Sequence, residues 1–165
     1  MAITRDQLES LYKEFEIPLY NFALRWVFDF ARAEEIVQDA YVRVWKRRDQ
    51  VETSTAKSLL YKTVQNLAIN DFRWRRVRES FQLSELLTGR KNETLETKLI
   101  EAEELRELKK SLDRLPFALR EVLMLTEFAD LSYEQIAEIL GVASGTVASR
   151  RNRAIEKLKE ERLEL

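Results

Sequence analysis

The chain has 165 residues, with 28 Lys and Arg against 29 Asp and Glu, and it contains neither His nor Cys. Their absence excludes disulfides and thiol chemistry, disfavours structural zinc and removes the commonest general base, so we expect no metal, cofactor or catalytic residue. Gly (3) and Pro (2) are scarce, which disfavours a sheet protein with many tight turns and favours an all-α fold.

The N-terminal half of the chain has the periodicity of helices. Thr4 and Gln7 have the spacing of a capping box, so the first helix is predicted to begin directly after Thr4. Pro18 can either kink this helix or start a second one. Further helices are predicted over about 33–48 and 56–78, because their apolar residues recur at helical spacing.

Charge is segregated along the chain, although its sum is close to zero. The segment 57–78 is basic, with Asp71 as its only acidic residue, and the segment 79–107 is mainly acidic. A second basic cluster lies at 150–153. Two basic clusters separated by an acidic stretch indicate two local contacts with anionic partners.

A change in composition marks a boundary between two domains. The string Thr88-Gly89-Arg90-Lys91-Asn92 is typical of a flexible segment, and the helical pattern resumes near Leu99. We therefore predict two small helical domains, at 1–80 and 99–165, joined by a flexible linker at 81–98. No apolar run is long enough to span a bilayer, and the charged N-terminus does not resemble a signal peptide. We expect a cytoplasmic protein without membrane insertion.

The C-terminal segment has the pattern of a helix-turn-helix. Ser132 and Gln135 form a second capping box before a short apolar-faced helix. Ala137, Gly141 and Val147 then follow at the spacing of this motif, as a small contact residue, a turn residue and a residue that locks the second helix. The pattern predicts a helix-turn-helix in the second domain.

The outward positions of the second helix carry side chains that suit major-groove recognition. They are Thr146, Ala148, Ser149, Arg150, Asn152 and Arg153. Arg can bind guanine and Asn can bind adenine through paired hydrogen bonds, while Ser and Thr accept several bases. The alternative is a helical hairpin with a solvated basic face. The coincidence of turn, caps and basic face favours DNA binding.

Signature residues of a known family occur in this same segment. Between Leu112 and Leu158 they are Leu115-Pro116, Arg120-Glu121-Val122, Leu131-Ser132-Tyr133, Ile136-Ala137, Leu140-Gly141-Val142, Gly145-Thr146-Val147, Ser149-Arg150 and Arg153-Ala154. In order and spacing they resemble region 4 of bacterial sigma factors, which direct RNA polymerase to promoters. Ala148 departs from the family pattern, in which many members carry a basic residue at this position.

A second, independent match lies in the N-terminal half. Residues 33–45 resemble region 2.2 of the same family. The resemblance continues through regions 2.3 and 2.4, where the matching residues are Leu59-Leu60-Tyr61, Asn66-Leu67-Ala68-Ile69, Arg73, Arg75 and Arg76. Leu59 stands where an aromatic residue is common, and Asn70-Asp71 replaces the usual single Asp. With both regions in the family's order and no further domain, the chain resembles the minimal, extracytoplasmic-function (ECF) group of the sigma-70 family.

The resemblance implies partners and roles for named residues. The partners are core RNA polymerase, through the clamp helices of its largest subunit and the flap of its second, promoter DNA, and an anti-sigma factor. Polymerase would contact the polar face of the helix at 33–48, at Glu35, Gln38, Asp39, Val42 and Arg43. Without the resemblance, that face would be interpreted as ordinary solvated surface.

The resemblance also divides the DNA contacts between the two domains. The −35 element would be read by the outward residues of the helix-turn-helix. The −10 element would be contacted by Lys57, Tyr61, Lys62, Asn66, Arg73, Arg75 and Arg76, and the loop at 49–55 would hold an unstacked base. Tyr61 can stack on a base or pack in the core, and the same choice is open for Trp74.

Three other functions are weighed against a sigma factor. A stand-alone helix-turn-helix regulator explains the C-terminal half but not the pattern at 33–76. A decoy that binds polymerase without reading DNA does not explain the outward Arg and Asn residues. An enzyme is the least favoured, because no acid–base pair converges in the sequence.

Overall fold

The computed structural model of the protein describes residues 3–79 and 95–163, with side chains described for 3–75 and 103–160. Within these ranges the regular elements are helices, which confirms the predicted all-α fold. In chain order they are α1 (Arg5–Val27), α2 (Phe30–Lys46), a 3-10 turn (Arg48–Gln50), α3 (Thr53–Glu79), α4 (Leu95–Arg114), α5 (Phe117–Phe128), α6 (Tyr133–Leu140) and α7 (Ser144–Leu163). We call α1–α3 the N-terminal bundle and α4–α7 the C-terminal bundle.

The predicted capping box at the start of α1 is present, since Thr4 and Gln7 exchange both of their hydrogen bonds. Pro18 lies inside a continuous α1, so this helix neither ends nor restarts there. Helix α2 begins at Phe30, ahead of the predicted start at about 33. Phe28 adopts a left-handed conformation (φ 52°) and Asp29 caps α2 by accepting from the amide of Arg32 at 2.9 Å. The chain therefore reverses within two residues.

The core of the N-terminal bundle is built from the large apolar side chains that the helical period places inward. Trp26, Phe22 and Tyr61 are among the largest fully buried residues. The rings of Phe22 and Tyr61 meet edge to face, with centroids 5.3 Å apart. The hydroxyl of buried Tyr41 donates to the carbonyl of Leu11 at 3.0 Å and so ties α2 to α1. This packing fixes which residues of α2 and α3 face outward.

The C-terminal bundle contains the predicted helix-turn-helix in α6 and α7. Ser132 and Gln135 form the capping box of α6. Gly141 ends α6 with φ 66°, a left-handed conformation that glycine adopts without a Cβ clash. Val147 and Ala154 are fully buried and hold α7 against the rest of the bundle. The turn, caps and locking residue therefore lie where the sequence places them.

The two bundles also lie against each other, a contact that sequence reasoning did not address. In the described residues, α1 and α3 lie directly against α5 and α6. Helix α4 begins at Leu95, ahead of the predicted 99, and the rest of the predicted linker at 81–98 lies outside the described residues. The domain boundaries themselves stay a prediction.

Candidate nucleic-acid interface

The N-terminal part of α7 presents a polar surface. Ser149, Asn152 and Arg153 are exposed, whereas Thr146, Ala148 and Arg150 are partly buried. The Ser149 hydroxyl donates to the Thr146 carbonyl at 3.1 Å. Because buried Val147 and Ala154 fix the rotation of the helix, the exposed side chains are held on one side of it. Such a helix has the dimensions that the major groove admits.

Acidic residues of α5 lie close to two of the three Arg residues in the basic cluster at 150–153. Arg151 donates to Glu127 at 2.8 Å, which anchors α7 on α5. Burial raises the pKa of the Glu121 carboxyl, while the nearby charges of Arg150 and Arg73 act to lower it. Arg150 is thus partly compensated by an acid of its own bundle. Arg153 is the exposed member of the basic cluster.

The outer face of α3 carries a line of exposed side chains at four-residue spacing. The line consists of Lys62, Asn66, Asn70 and Trp74. Trp74 is 60% exposed, which makes it one of the most exposed large apolar side chains in the described residues. Neighbours at this spacing stack along one side of a helix. We call these four residues the α3 line.

Two members of the α3 line were not assigned to DNA by sequence reasoning. Asn70 was read only as a departure from the family pattern, and the role of Trp74 was left open. Both residues can be identified from the register of α3, that is, from which positions of the helix are buried. Val64 and Ala68 are fully buried on the opposite side, so a step of four from Lys62 stays on the outer face.

Tyr61 does not belong to this exposed surface. It is 2% exposed, its ring packs on Phe22, and burial raises the pKa of its hydroxyl to about 12. Of the two roles that the sequence left open, the structure favours packing over base stacking, because the ring lies inside the bundle.

Arg75 is held by a network inside the N-terminal bundle. Its guanidinium lies 3.0 Å from Asp71 and 3.1 Å from Asp29, and it donates to the Val27 carbonyl at 3.1 Å. Asp71, with a 13% exposed side chain, also accepts from Arg32 at 2.7 Å. These bonds tie the end of α3 to the turn between α1 and α2. The position of Arg75 is that of a structural residue beside the predicted DNA surface.

The remaining basic positions of α3 differ in their surroundings. The Lys57 ammonium donates to the carbonyl and the carboxylate of Asp130, at 2.7 and 3.0 Å. The Arg73 guanidinium lies 5.6 Å from the ring centroid of Phe117. Both partners belong to the C-terminal bundle. The side chain of Arg76 lies outside the described residues.

The predicted polymerase surface forms one face of α2. Glu35, Gln38, Val42 and Arg43 are exposed and Asp39 is partly buried, with the Asp39 carboxylate 3.1 Å from Arg43. Val42 is 48% exposed in the middle of these charges. An apolar side chain ringed by charges has the composition of a small protein-binding surface.

No group of acidic residues in the described parts of the chain is placed to hold a metal ion. Among the helices described, none combines the length and apolar character needed to cross a membrane.

Comparison with known families gives two matches along the chain. The model of Sigma-70 region 2 matches residues 11–78, and the model of Sigma-70, region 4, matches residues 105–158. Both coincide with the bundles that carry the candidate surfaces.

Related proteins match over most of the chain. The ECF RNA polymerase sigma factor EcfG of Rhodopseudomonas palustris (strain TIE-1) is 33% identical over 141 residues, which cover 85% of this chain and 76% of the relative. The RNA polymerase sigma factor YlaC of Bacillus subtilis (strain 168) is 29% identical, over 94% of this chain and 92% of the relative.

Two solved structures have a similar arrangement of helices. RpoE of Bartonella quintana, crystallised with the anti-sigma factor NepR, is 28% identical with a TM-score of 0.66, over 92% of this chain and 96% of the other. CnrH, solved with the cytosolic domain of CnrY, has a TM-score of 0.72 over 93% of this chain and 85% of the other. At 22% identity, CnrH shows a shared fold.

Proposed function

Because the chain belongs to the sigma-70 family, as an alternative sigma factor of the ECF group, we propose that its N-terminal bundle contacts the −10 element and its C-terminal bundle the −35 element. The family consists of transcription initiation factors that work with RNA polymerase at promoters. In the cytoplasm, the chain would recognise promoter DNA and bind its separated strand, while polymerase would catalyse RNA synthesis. A stand-alone regulator leaves the region 2 match at 11–78 unexplained.

The −35 contact is proposed for the outward face of α7. Arg153 and Asn152 would hydrogen-bond base edges in the major groove, and Ser149 would add a permissive contact. Thr146, Ala148 and Arg150 would line the edge of the surface, since they are partly buried. The Thr146 amide already donates to the Ala143 carbonyl at 2.9 Å, so any phosphate contact of Thr146 would come from its hydroxyl.

The −10 contact is proposed for the α3 line. Lys62 would neutralise a phosphate, Asn66 and Asn70 would hydrogen-bond base edges, and Trp74 would stack on an unpaired base. The observation that carries this proposal is the exposure of all four residues on one face of a helix whose other face is buried. The loop at 49–55 would hold an extruded base, which costs a few kcal/mol of unstacking energy.

The other basic residues of α3 receive different roles. Arg75 would position the end of α3 through Asp71 and Asp29, rather than bind a phosphate itself. Lys57 would reach DNA only after leaving Asp130 of the C-terminal bundle, whereas Arg73 is exposed beside the ring of Phe117 and would contact a phosphate directly. Arg76 would track the backbone beyond Trp74, a role that depends on its place in the sequence alone.

Contacts with proteins are proposed for α2. Glu35, Gln38 and Asp39 would bind basic residues of the polymerase clamp helices, around an apolar contact at Val42 with Arg43 at its edge. The C-terminal bundle would meet the polymerase flap. An anti-sigma factor is a further proposed partner, because RpoE of Bartonella quintana was crystallised with one.

The test is transcription in vitro with core polymerase and a library of promoter fragments. We expect transcripts that start at a limited class of promoters only when the chain is present. A chain that binds duplex DNA but starts no transcript with core polymerase would overturn the proposal. Gln38→Ala together with Val42→Ala would serve as the variant that loses polymerase binding, with Lys13→Ala on the exposed side of α1 as the matched control.

A further inference from the structure

We infer that Ile3 is a positioning residue for the loop at 49–55, and that it thereby strengthens the preference of this loop for the base it holds. The inference rests on the proposed function, in which the loop holds an extruded base of the −10 element. Ile3 would act through the backbone of the loop and would not touch the base. The order of the loop itself is a property of the free chain and can be measured without DNA.

The loop has little side-chain packing of its own. Val51 is 4% exposed, whereas the other loop residues are exposed, namely Asp49, Gln50, Glu52, Thr53, Ser54 and Thr55. Short-range hydrogen bonds shape its two ends: the Gln50 amide donates to the Arg47 carbonyl at 2.8 Å, and the Thr55 amide to the Glu52 carbonyl at 3.1 Å. Segments with few buried contacts open at a low free energy. A defined base pocket in this loop therefore needs support from another part of the bundle.

That support comes from the residue ahead of the N-cap of α1. The Ile3 amide donates to two carbonyls at once, that of Arg48 at 3.2 Å and that of Val51 at 3.1 Å. The Arg48 carbonyl also accepts from the Val51 amide at 3.3 Å. The side chain of Ile3 is 2% exposed and belongs, like that of Val51, to the hydrophobic core. One residue thus holds both ends of the turn that presents Asp49 and Gln50.

Both sides of this contact are anchored in helices. Thr4, the next residue after Ile3, is the N-cap of α1 and forms its capping box. The Arg48 guanidinium carbon lies 4.6 Å from the ring centroid of Trp45 at the end of α2, and Arg48 donates to the Trp45 carbonyl at 3.3 Å. The loop is therefore joined to α1 through Ile3 and to α2 through Arg48. A loop held in its binding conformation loses less entropy when it takes up a ligand.

Loss of the Ile3 contact should weaken the preference for one base and leave the other contacts intact. Apparent affinity falls by the fraction of chains in the binding-competent state. A loop that is ordered about 10 to 30% of the time would lower the preference for the held base by about three- to tenfold. Bases contacted by the α3 line, and the −35 element, do not depend on this loop.

Two substitutions remove different parts of the contact. Ile3→Pro removes the N–H donor and keeps an apolar side chain, whereas Ile3→Ala keeps the donor and removes most of the buried side chain. Ile3→Val retains both and should behave as the wild type does. Ile36→Ala is the matched control, because Ile36 is also 2% exposed in the N-terminal bundle but lies within α2.

Loop order can be measured with a nitroxide label, because the chain has no Cys. Gln50→Cys places the label on the loop, and Lys13→Cys places a reference label on the exposed side of α1. Ile3→Pro and Ile3→Ala should each add a mobile component to the spectrum at position 50 and leave position 13 unchanged. Ile36→Ala should leave both spectra as in the wild type. An unchanged spectrum at position 50 in both Ile3 variants would overturn the positioning role.

Base preference is measured by binding of the holoenzyme to promoter fragments with a melted −10 element, with each of the four bases placed at every position in turn. Ile3→Pro and Ile3→Ala should lose about three- to tenfold in preference at the position held by the loop and keep the preferences at the −35 element. Ile3→Val and Ile36→Ala should keep all preferences. A mobile loop with unchanged preferences, or an equal loss at every position, would contradict the inference.

Failure of the proposed function is recognised separately. If the wild-type chain starts no promoter-specific transcript with core polymerase, the proposed function fails, and the positioning of a base fails with it. The label spectra need neither DNA nor polymerase, so they still decide whether Ile3 orders the loop.

Discussion

Trp74 gives the sharpest test of the α3 line, because a loss of base stacking can be distinguished from a loss of protein stability. Its side chain is 60% exposed, and truncation at an exposed helical position changes stability by about 0.5 kcal/mol or less. Stacking of a base on an aromatic ring contributes about 1–3 kcal/mol. Trp74→Ala should therefore lower the yield of open promoter complexes about 5- to 150-fold, with little change in the melting temperature.

The measurement is permanganate reactivity of unpaired thymines in complexes with core polymerase, beside binding of the same holoenzyme to closed duplex. Trp74→Phe keeps a ring and should retain part of the activity. Ile17→Ala removes another exposed apolar side chain, 70% exposed on α1, and serves as the control. Trp74→Ala with open-complex yields equal to the wild type would refute the stacking role, as would equal losses on closed and melted DNA.

Three further substitutions test other parts of the structure. Arg153→Ala should weaken −35 binding by about 1–3 kcal/mol and relax base preference there; unchanged discrimination in a promoter-variant binding assay would contradict the assignment. Asn66→Ala should impair open-complex formation more than closed duplex binding, and equal losses in both assays would argue against base contact. Gly141→Ala should lower stability by about 1–2 kcal/mol because of its positive φ, with Gly141→Asn less affected, as measured by urea unfolding. Equal stability of the two variants would remove that explanation.

Much of the fold could be predicted from local chemistry. The capping boxes at Thr4 and Ser132 and the left-handed turn at Gly141 are set by residues within a few positions of one another. Pro18 left two outcomes open, because proline permits a kink as readily as a new helix. The packing of α1 against its neighbours decides between them, and that information is not local.

The packing of α1 and α3 against α5 and α6 could not be predicted in this way. Lys57 and Asp130 are 73 positions apart, and no periodicity links them. Arg120 was recognised only as part of a family signature, although its burial between Trp26 and Phe72 is a matter of tertiary packing. The sequence therefore predicted two helical units with surfaces for DNA, but not that one unit covers part of the other's surface.

The basic residues of α3 show why charge density alone is a poor measure of a DNA surface. The structure gives them separate environments: Lys62 faces solvent, Lys57 is bound by Asp130, Arg73 is exposed beside Phe117, and Arg75 is held by Asp71 and Asp29. Salt dependence of binding grows with the number of phosphates that a protein neutralises. The salt dependence of DNA binding by the N-terminal bundle should therefore be weaker than the number of its cations would give. The four side chains of the α3 line combine one cation with two amides and an indole. Most of their binding energy would therefore come from contacts with bases of the separated strand, and less from phosphates.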